Sequence, residues 1–177
     1  MAIIRGIDHR PQHLQAIGLA TVYHTLLQYE LADGLMILLA VSRSHATLLA
    51  SQLPFSKLVA VLSAAAHDSI QDETLRDECL ALLKRASLAE EKRNQLVHSI
   101  WAVPLQLLFT DKVLRLKRKP AKSRTMSEQS EVLAAEDVQK IGAELRGVVD
   151  DFAYMWSRLS TSAQQGHAAD GHPSGRQ

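Results

Sequence analysis

The sequence lacks, or has little of, several features that would indicate a particular class of function. Cys79 is the only cysteine among 177 residues, so the chain forms no internal disulfide and offers no cysteine cluster to a metal. Aromatic residues make up only 5 % of the composition, and the net charge of +1 gives no overall attraction to nucleic acid or to a membrane surface. The most apolar stretch, residues 31–41, contains Asp33 and is far shorter than the ~20 residues that cross a bilayer. We therefore expect a cytoplasmic protein without a membrane partner, a cofactor or a bound metal.

What is present is the composition of a helical protein. Hydrophobic residues form 46 % of the chain, and the helix-favouring residues leucine and alanine must build most of its core. Helical spacing predicts a long first helix from Pro11 to about Arg43, with polar residues such as His24 between its apolar positions. Those apolar positions are Leu14, Ile17, Val22, Leu26, Tyr29, Met36 and Val41. A short helix capped by Ser44 follows, and further helices are predicted over about residues 54–68, 72–98 and 136–158.

A different pattern follows residue 98. Residues 100–119 contain two extended stretches separated by a turn, and we interpret them as a β-hairpin whose first strand is short, bulged or at an edge because of Pro104. Residues 120–130 have the composition of a polar linker, and residues 160–177 that of a disordered tail. The predicted fold class is mainly all-α: a helical bundle in a single domain over residues 1–159, with an appended hairpin.

The segment from Glu90 to His98 concentrates side chains that can do chemistry. On a helix, Glu90, Asn94 and His98 are spaced at i, i+4 and i+8 and share a face, which the long side chain of Arg93 can reach. A histidine exchanges a proton near neutral pH. An arginine holds a phosphate through paired hydrogen bonds and stabilises the charge that develops on it. We therefore take Arg93, Asn94 and His98 as candidate catalytic residues and Glu90 as a supporting residue.

The same segment resembles the motif of a known family. Arg93, four intervening residues and His98, with Asn94 directly after the arginine, are similar to the R-x4–6-H motif of HEPN domains (higher eukaryotes and prokaryotes nucleotide-binding). The wider phrase from Glu91 to Trp101 looks like a bacterial group of uncharacterised HEPN-like proteins. Three other features share this likeness, namely Tyr29-Glu30, Leu53-Pro54-Phe55 and the basic hairpin.

The resemblance implies a compact helical bundle that forms a homodimer and brings two copies of the motif into one cleft. Many HEPN proteins are metal-independent endoribonucleases that act as toxins, with an antitoxin partner, or in phage defence. In such enzymes an RNA 2′-hydroxyl attacks the adjacent phosphate. The resemblance implies that His98 transfers the proton and that Arg93 stabilises the phosphate. Asn94 would orient the side chain of either His98 or Arg93. The hairpin and the helix after the motif depart from the small toxin members, and non-catalytic members also exist.

Two features outside the motif have both a functional and a structural interpretation. Glu30 lies in an apolar stretch and is either a second supporting residue, which holds Arg93 or polarises His98, or a surface glutamate. The basic hairpin strand either contacts RNA phosphates or is an edge strand that lysines protect from aggregation. Its candidate RNA-binding residues are Arg115, Lys117, Arg118 and Lys119.

The sequence thus leaves three functions open. The first is a metal-independent endoribonuclease. The second is a non-catalytic dimerisation or interaction scaffold, in which Arg93 pairs with Glu90 and His98 stabilises the C-terminus of its helix. The third is a nucleotide-binding regulator.

Overall fold

A computed structural model describes the backbone of residues 3–120 and 126–169 and the side chains of residues 6–117 and 129–161. Within these residues the chain is mainly helical with a small antiparallel sheet, which confirms the predicted fold class. The helices are α1 (Pro11–Leu38), α2 (Arg43–Gln52), α3 (Phe55–Ser69), α4 (Glu73–Val97) and α5 (Ala135–Ala169). The strands are β1 (Ile3–Arg5), β2 (Ile100–Pro104), β3 (Val113–Pro120) and β4 (Met126–Leu133), and they lie side by side in that order.

The first helix ends earlier than predicted, at Leu38. Ala40 has a φ of 51°, a left-handed conformation that an L-residue cannot repeat along a helix. The next helix then begins at Arg43, because the hydroxyl of Ser42 accepts a hydrogen bond from the backbone N–H of His45 at 3.3 Å. The predicted cap at Ser44 is therefore wrong by two positions, and Arg43 belongs to α2 rather than to α1.

The buried face of α1 also differs from the predicted one. Several residues of the predicted apolar stripe are exposed, among them Leu14, Val22, Leu26 and Tyr29. The helix is apolar on most of its sides, so the spacing of its apolar residues does not select one face. The buried positions carry small, aliphatic and histidine side chains, and they are His13, Ala16, Ala20, His24, Leu27, Leu31, Ala32, Gly34, Leu35 and Leu38.

The predicted hairpin is confirmed, but the sheet is larger than a hairpin. In the antiparallel pair of β2 and β3, Trp101 lies opposite Arg115. Strand β1 pairs with β2, and β4 pairs with β3 from Val113 opposite Leu133 to the far end of both strands. Residues 126–130 are thus part of a strand, and the predicted linker over 120–130 is wrong there. Their serine, glutamate and glutamine side chains have low β-propensity, but their backbone completes the hydrogen bonds of β3.

The last helix is longer than predicted. The first turn of α5 contains Glu136 and Asp137, whose negative charges favour a helix N-terminus, and Asp137 accepts a hydrogen bond from the backbone N–H of Ala134 at 3.2 Å. The helix continues to Ala169. The predicted disordered tail from residue 160 is therefore wrong for residues 160–169, and the rest of the tail lies outside the described residues.

Contacts group the chain into two compact units. Unit 1 consists of the chain up to Leu26 together with Ala86–Gly147, and unit 2 consists of Leu27–Arg85 together with the chain from Val148 onward. The division crosses α1, α4 and α5 within the helices and follows no linker, so a single domain over residues 1–159 stays a prediction.

The core of unit 2 is built around Trp156. This ring stacks on Phe152 with 5.3 Å between the ring centroids, and its Nε1 donates to the backbone carbonyl of Glu30 at 2.8 Å. Gly34 lies against the same ring, where an added Cβ would come within 2.6 Å of it. Cys79 is fully buried in this unit, and burial raises the pKa of its thiol to about 11. It behaves as a small hydrophobic residue.

Candidate functional site

The C-terminal half of α4 and the first half of α1 place four polar side chains in one connected set inside unit 1. Nδ2 of Asn94 donates to Oε1 of Glu90 at 2.9 Å, one turn earlier on α4. Nη1 of Arg93 donates to Oδ1 of Asn94, also at 2.9 Å. The second carboxylate oxygen of Glu90 lies 2.7 Å from Nε2 of His24 on α1. These four residues, Arg93, Asn94, Glu90 and His24, are termed the polar network below.

The inner end of the polar network is shielded from water. The side chains of His24 and Glu90 are 8 % and 13 % exposed. Electrostatic attraction is stronger where water is excluded, whereas an isolated charge in the same place is costly. The carboxylate of Glu90 therefore accepts from Asn94 at Oε1 and has the His24 ring beside Oε2, where the two atoms are close but lack hydrogen-bond geometry. This contact joins α4 to α1.

His24 is the residue of this network that the sequence prediction missed. Its position fits the buried stripe of α1, four residues after Ala20 and three before Leu27. A polar residue at helical spacing from buried apolar neighbours is the signal that could have found it. That signal was weak because several other faces of α1 are also apolar.

Arg93 is half-buried, and the described residues engage only one side of its guanidinium. Nη1 binds Asn94, whereas Nε is buried and has no hydrogen-bond partner among the side chains and backbone groups that the structure describes. A buried donor without a partner costs about 1–3 kcal/mol. The guanidinium donors form the planar fork that binds phosphate. Arg93 is thus the member of the polar network with capacity for a ligand.

His98 lies just beyond the end of α4 and is exposed. Its backbone N–H donates to the carbonyl of Asn94 at 3.0 Å and continues the helical turn. Its imidazole has no hydrogen bond or ion pair with the described part of the chain. The contact expected along one face is therefore confirmed for Glu90 and Asn94, while the imidazole of His98 stays outside the polar network and faces solvent.

The other predicted supporting residue, Glu30, belongs to unit 2, whereas the polar network belongs to unit 1. Burial, and secondly the negative charge of Asp33, raise the pKa of the Glu30 carboxyl above its usual range. The supporting role of Glu30 toward Arg93 or His98 stays a prediction.

Strand β3 carries the predicted RNA-binding residues. Arg115 forms an ion pair with Glu131, which lies directly opposite it on β4. Lys117 is partly buried and has no ion-pair or hydrogen-bond partner among the described side chains. Arg118 and Lys119 follow on the same strand, but their side chains lie outside the described residues.

A cavity of about 360 Å³ opens beside the two described cations of β3. Gln95, which belongs to the same segment of α4 as Arg93 and His98, contributes to its wall. The other lining residues come from β3 and β4, and they are Arg115, Lys117, Gln129, Ser130 and Glu131. The sequence analysis identified the two cations from the local excess of basic residues. It did not identify the two glutamines, because a single glutamine belongs to no characteristic sequence pattern.

No group of three or more histidine, cysteine, aspartate or glutamate side chains in the described residues is placed to share a metal ion. None of the helices, as far as the chain is described, is both long enough and apolar enough to cross a membrane.

Comparison of the chain with models of known protein families, with characterised proteins and with solved structures finds no match. The resemblance to HEPN domains therefore rests on the residues of the motif themselves.

Proposed function

We propose that this chain is a HEPN-like protein that binds single-stranded RNA and cleaves it without a metal ion, with Arg93 and His98 as its catalytic residues. The guanidinium of Arg93 is the observation that carries the proposal, since Asn94 fixes one side of it while the side chain is only half-buried and its remaining donors have no acceptor among the described groups. A phosphate oxygen at the accessible side of the guanidinium would supply an acceptor. The solvent-facing imidazole of His98, one turn beyond Asn94, is accessible for proton transfer.

Transesterification is the reaction that these groups support. The 2′-oxygen bonds to the adjacent phosphorus and the bond from phosphorus to the 5′-oxygen breaks, which leaves a 2′,3′-cyclic phosphate and a 5′-hydroxyl. One imidazole accepts the proton of the 2′-hydroxyl, and a second returns a proton to the leaving oxygen. A homodimer would supply both imidazoles from two copies of His98, while Arg93 stabilises the negative charge on the phosphoryl oxygens.

The polar network gives Arg93 a fixed orientation before substrate arrives. Asn94 holds the guanidinium, Glu90 holds Asn94, and His24 holds Glu90. Groups that are oriented in advance stabilise a transition state without reorganisation during the reaction. In this proposal the protein acts on cytoplasmic RNA, in a toxin–antitoxin or phage-defence setting.

Incubation of the purified protein with labelled single-stranded RNA in the presence of a chelator tests the proposal. We expect fragments with 2′,3′-cyclic phosphate ends. His98→Ala should reduce the rate by about 100-fold or more, the usual contribution of a proton-transfer group, and should leave the melting temperature almost unchanged because the side chain is exposed. His67→Ala, which removes an exposed histidine of α3, is the matched control and should cleave like wild type. Intact RNA after incubation with wild type would contradict the catalytic proposal.

A non-catalytic scaffold is the second candidate, because a network of this kind can also serve packing alone. Removal of one partner of a buried polar contact leaves the other without it and destabilises a fold, which is reason enough to retain Glu90 and His24. Under this alternative, Arg93→Ala lowers the melting temperature or splits the dimer, and wild type cleaves no RNA. Sedimentation analysis of the same samples that enter the cleavage assay separates the two candidates.

A further inference from the structure

The cavity beside β3 has the size and the walls of a site for a polar ligand. Its volume of about 360 Å³ lies within the range of ~300–1,000 Å³ that is typical of ligand pockets. All six lining residues are polar or charged. An apolar ligand would remove water from these groups without replacing its hydrogen bonds, which costs free energy. The walls therefore suit a ligand that is itself rich in hydrogen-bonding groups.

The charge of the walls selects among such ligands. Arg115 and Glu131 neutralise each other across the strands, so the ammonium group of Lys117 is the lining cation without a partner among the described side chains. One positive charge matches the single negative charge of a phosphodiester in a nucleic-acid chain. A free nucleoside triphosphate would bring several negative charges toward the carboxylate of Glu131. Charge complementarity thus favours a nucleotide within a chain over a free one.

Two amides supply groups that can recognise a base. Gln95 reaches the cavity from α4, and Gln129 lies opposite Lys117 in the register of β3 and β4. Each amide has two donors and one acceptor oxygen, which complement the hydrogen-bonding edge of an unpaired base. Nε2 of Gln95 has only a long hydrogen bond of 3.4 Å to Glu91, which a base edge could replace. In a duplex that edge is already paired, so these groups favour a single strand.

We infer that this cavity binds one nucleotide of a single-stranded RNA chain, with Lys117 on its phosphate and the amides of Gln95 and Gln129 on its base. The inference rests on the proposed RNA function and adds to it a binding site separate from Arg93 and His98. It also identifies the part of the strand that the site holds, namely a single unpaired nucleotide with its phosphodiester.

Fluorescence anisotropy of a labelled single-stranded 2′-O-methyl oligonucleotide measures binding separately from cleavage, because its 2′-oxygen cannot attack. Lys117→Ala should weaken binding and reduce the slope of log K against log salt concentration by about 0.7, the value of one phosphate contact on a single strand. Lys140→Ala is the control, since it removes an exposed lysine of α5 that pairs with Asp137, and should leave the slope unchanged. Gln129→Ala should weaken binding by about 5-fold or more for some bases and by less for others.

Glu131→Gln tests the same site through a gain of affinity that misfolding cannot imitate. The substitution removes one negative charge from the walls and releases Arg115 from its ion pair, so both the affinity and the salt slope should rise, the slope by about 0.7. A free nucleoside monophosphate at millimolar concentration should compete only weakly. Competition as strong as that of the oligonucleotide would contradict recognition of a nucleotide within a chain.

The outcomes separate this inference from the proposed function. If wild type binds and cleaves RNA while Lys117→Ala, Gln129→Ala and Glu131→Gln all behave like Lys140→Ala, the cavity inference is wrong and the proposed function stands. If binding depends on these residues but the protein never cleaves RNA, the cavity inference is supported and the nuclease proposal is contradicted. Failure of wild type to bind the uncleavable strand at low salt overturns the cavity inference, and the cleavage assay then decides the proposed function alone.

Discussion

The two halves of α4 differ in where their charged side chains lie, at the surface or partly buried. In the first half, residues 73–85 of unit 2, the buried side chains are apolar, and Glu78 and Arg85 form exposed ion pairs with α5. In the second half, Ala86–Val97 of unit 1, Glu90 and Arg93 extend into the partly buried polar network. Exposed pairs contribute ~0–1 kcal/mol each, whereas buried charges impose a desolvation cost that apolar side chains would avoid. A core built for stability alone would resemble the first half, and the proposed function depends on the second half.

The largest effect that tests this comparison is expected from Glu90→Ala. The substitution leaves His24 facing a vacated carboxylate site and removes the acceptor of Asn94, so the free energy of unfolding should fall by about 3 kcal/mol. Urea denaturation followed by circular dichroism measures it. Glu91→Ala changes an exposed neighbour on the same helix and should alter the stability by less than about 0.5 kcal/mol.

A double variant decides whether Glu90 serves stability or orientation. Replacement of both His24 and Glu90 by leucine removes the pair together, and the free energy of unfolding should recover most of what Glu90→Ala loses. The double variant should nevertheless lose RNA cleavage, because Asn94 and Arg93 no longer have their support. Wild-type cleavage by a stable double variant would remove the polar network from the proposed mechanism.

In the apolar half of α4, a smaller effect is expected from the dependence of stability on pH at Cys79. Burial raises the pKa of this thiol from 9.0 to about 11, so between these values the folded protein keeps a proton that the unfolded chain has lost. The stabilising contribution is complete below about pH 9 and falls as pH rises toward 11, by about 2 kcal/mol in all. The stability advantage of wild type over Cys79→Ala should therefore shrink between pH 8 and pH 11 in urea denaturation. An advantage that stays constant over this interval would contradict a raised pKa.

The buried face of the apolar half of α4 could be predicted from the sequence, whereas the contacts of the polar half could be predicted only in part. Leu75, Cys79 and Leu82 repeat at helical spacing, and burial on one face follows directly from that repeat. The contact between Glu90 and Asn94 was also predictable, because a spacing of four residues brings side chains together on any helix. These are local properties, fixed by the geometry of a single element.

What could not be predicted depends on contacts between elements that are distant in the sequence. His24 meets Glu90 only through the packing of α1 on α4, and the apolar surroundings of α1 conceal which of its faces turns inward. Strand β4 is held by the hydrogen bonds that its backbone shares with β3, although residues 126–130 favour no strand by themselves. Gln95 and Gln129 line one cavity only because α4 and the sheet lie together in unit 1.

The smallest expected effect concerns the exposed ion pairs, which should behave alike in both halves of α4. Arg85 lies 2.7 Å from Asp151 and Lys92 lies 2.5 Å from Glu144, and all four side chains are about half exposed. Arg85→Ala and Lys92→Ala should each lower the free energy of unfolding by about 0.5 kcal/mol, less in 1 M salt, because water and ions screen such pairs. Thermal denaturation at two salt concentrations measures both variants. A loss for Lys92→Ala several times that for Arg85→Ala would show that the two halves differ at their surfaces as well, and the contrast could then no longer be assigned to the polar network.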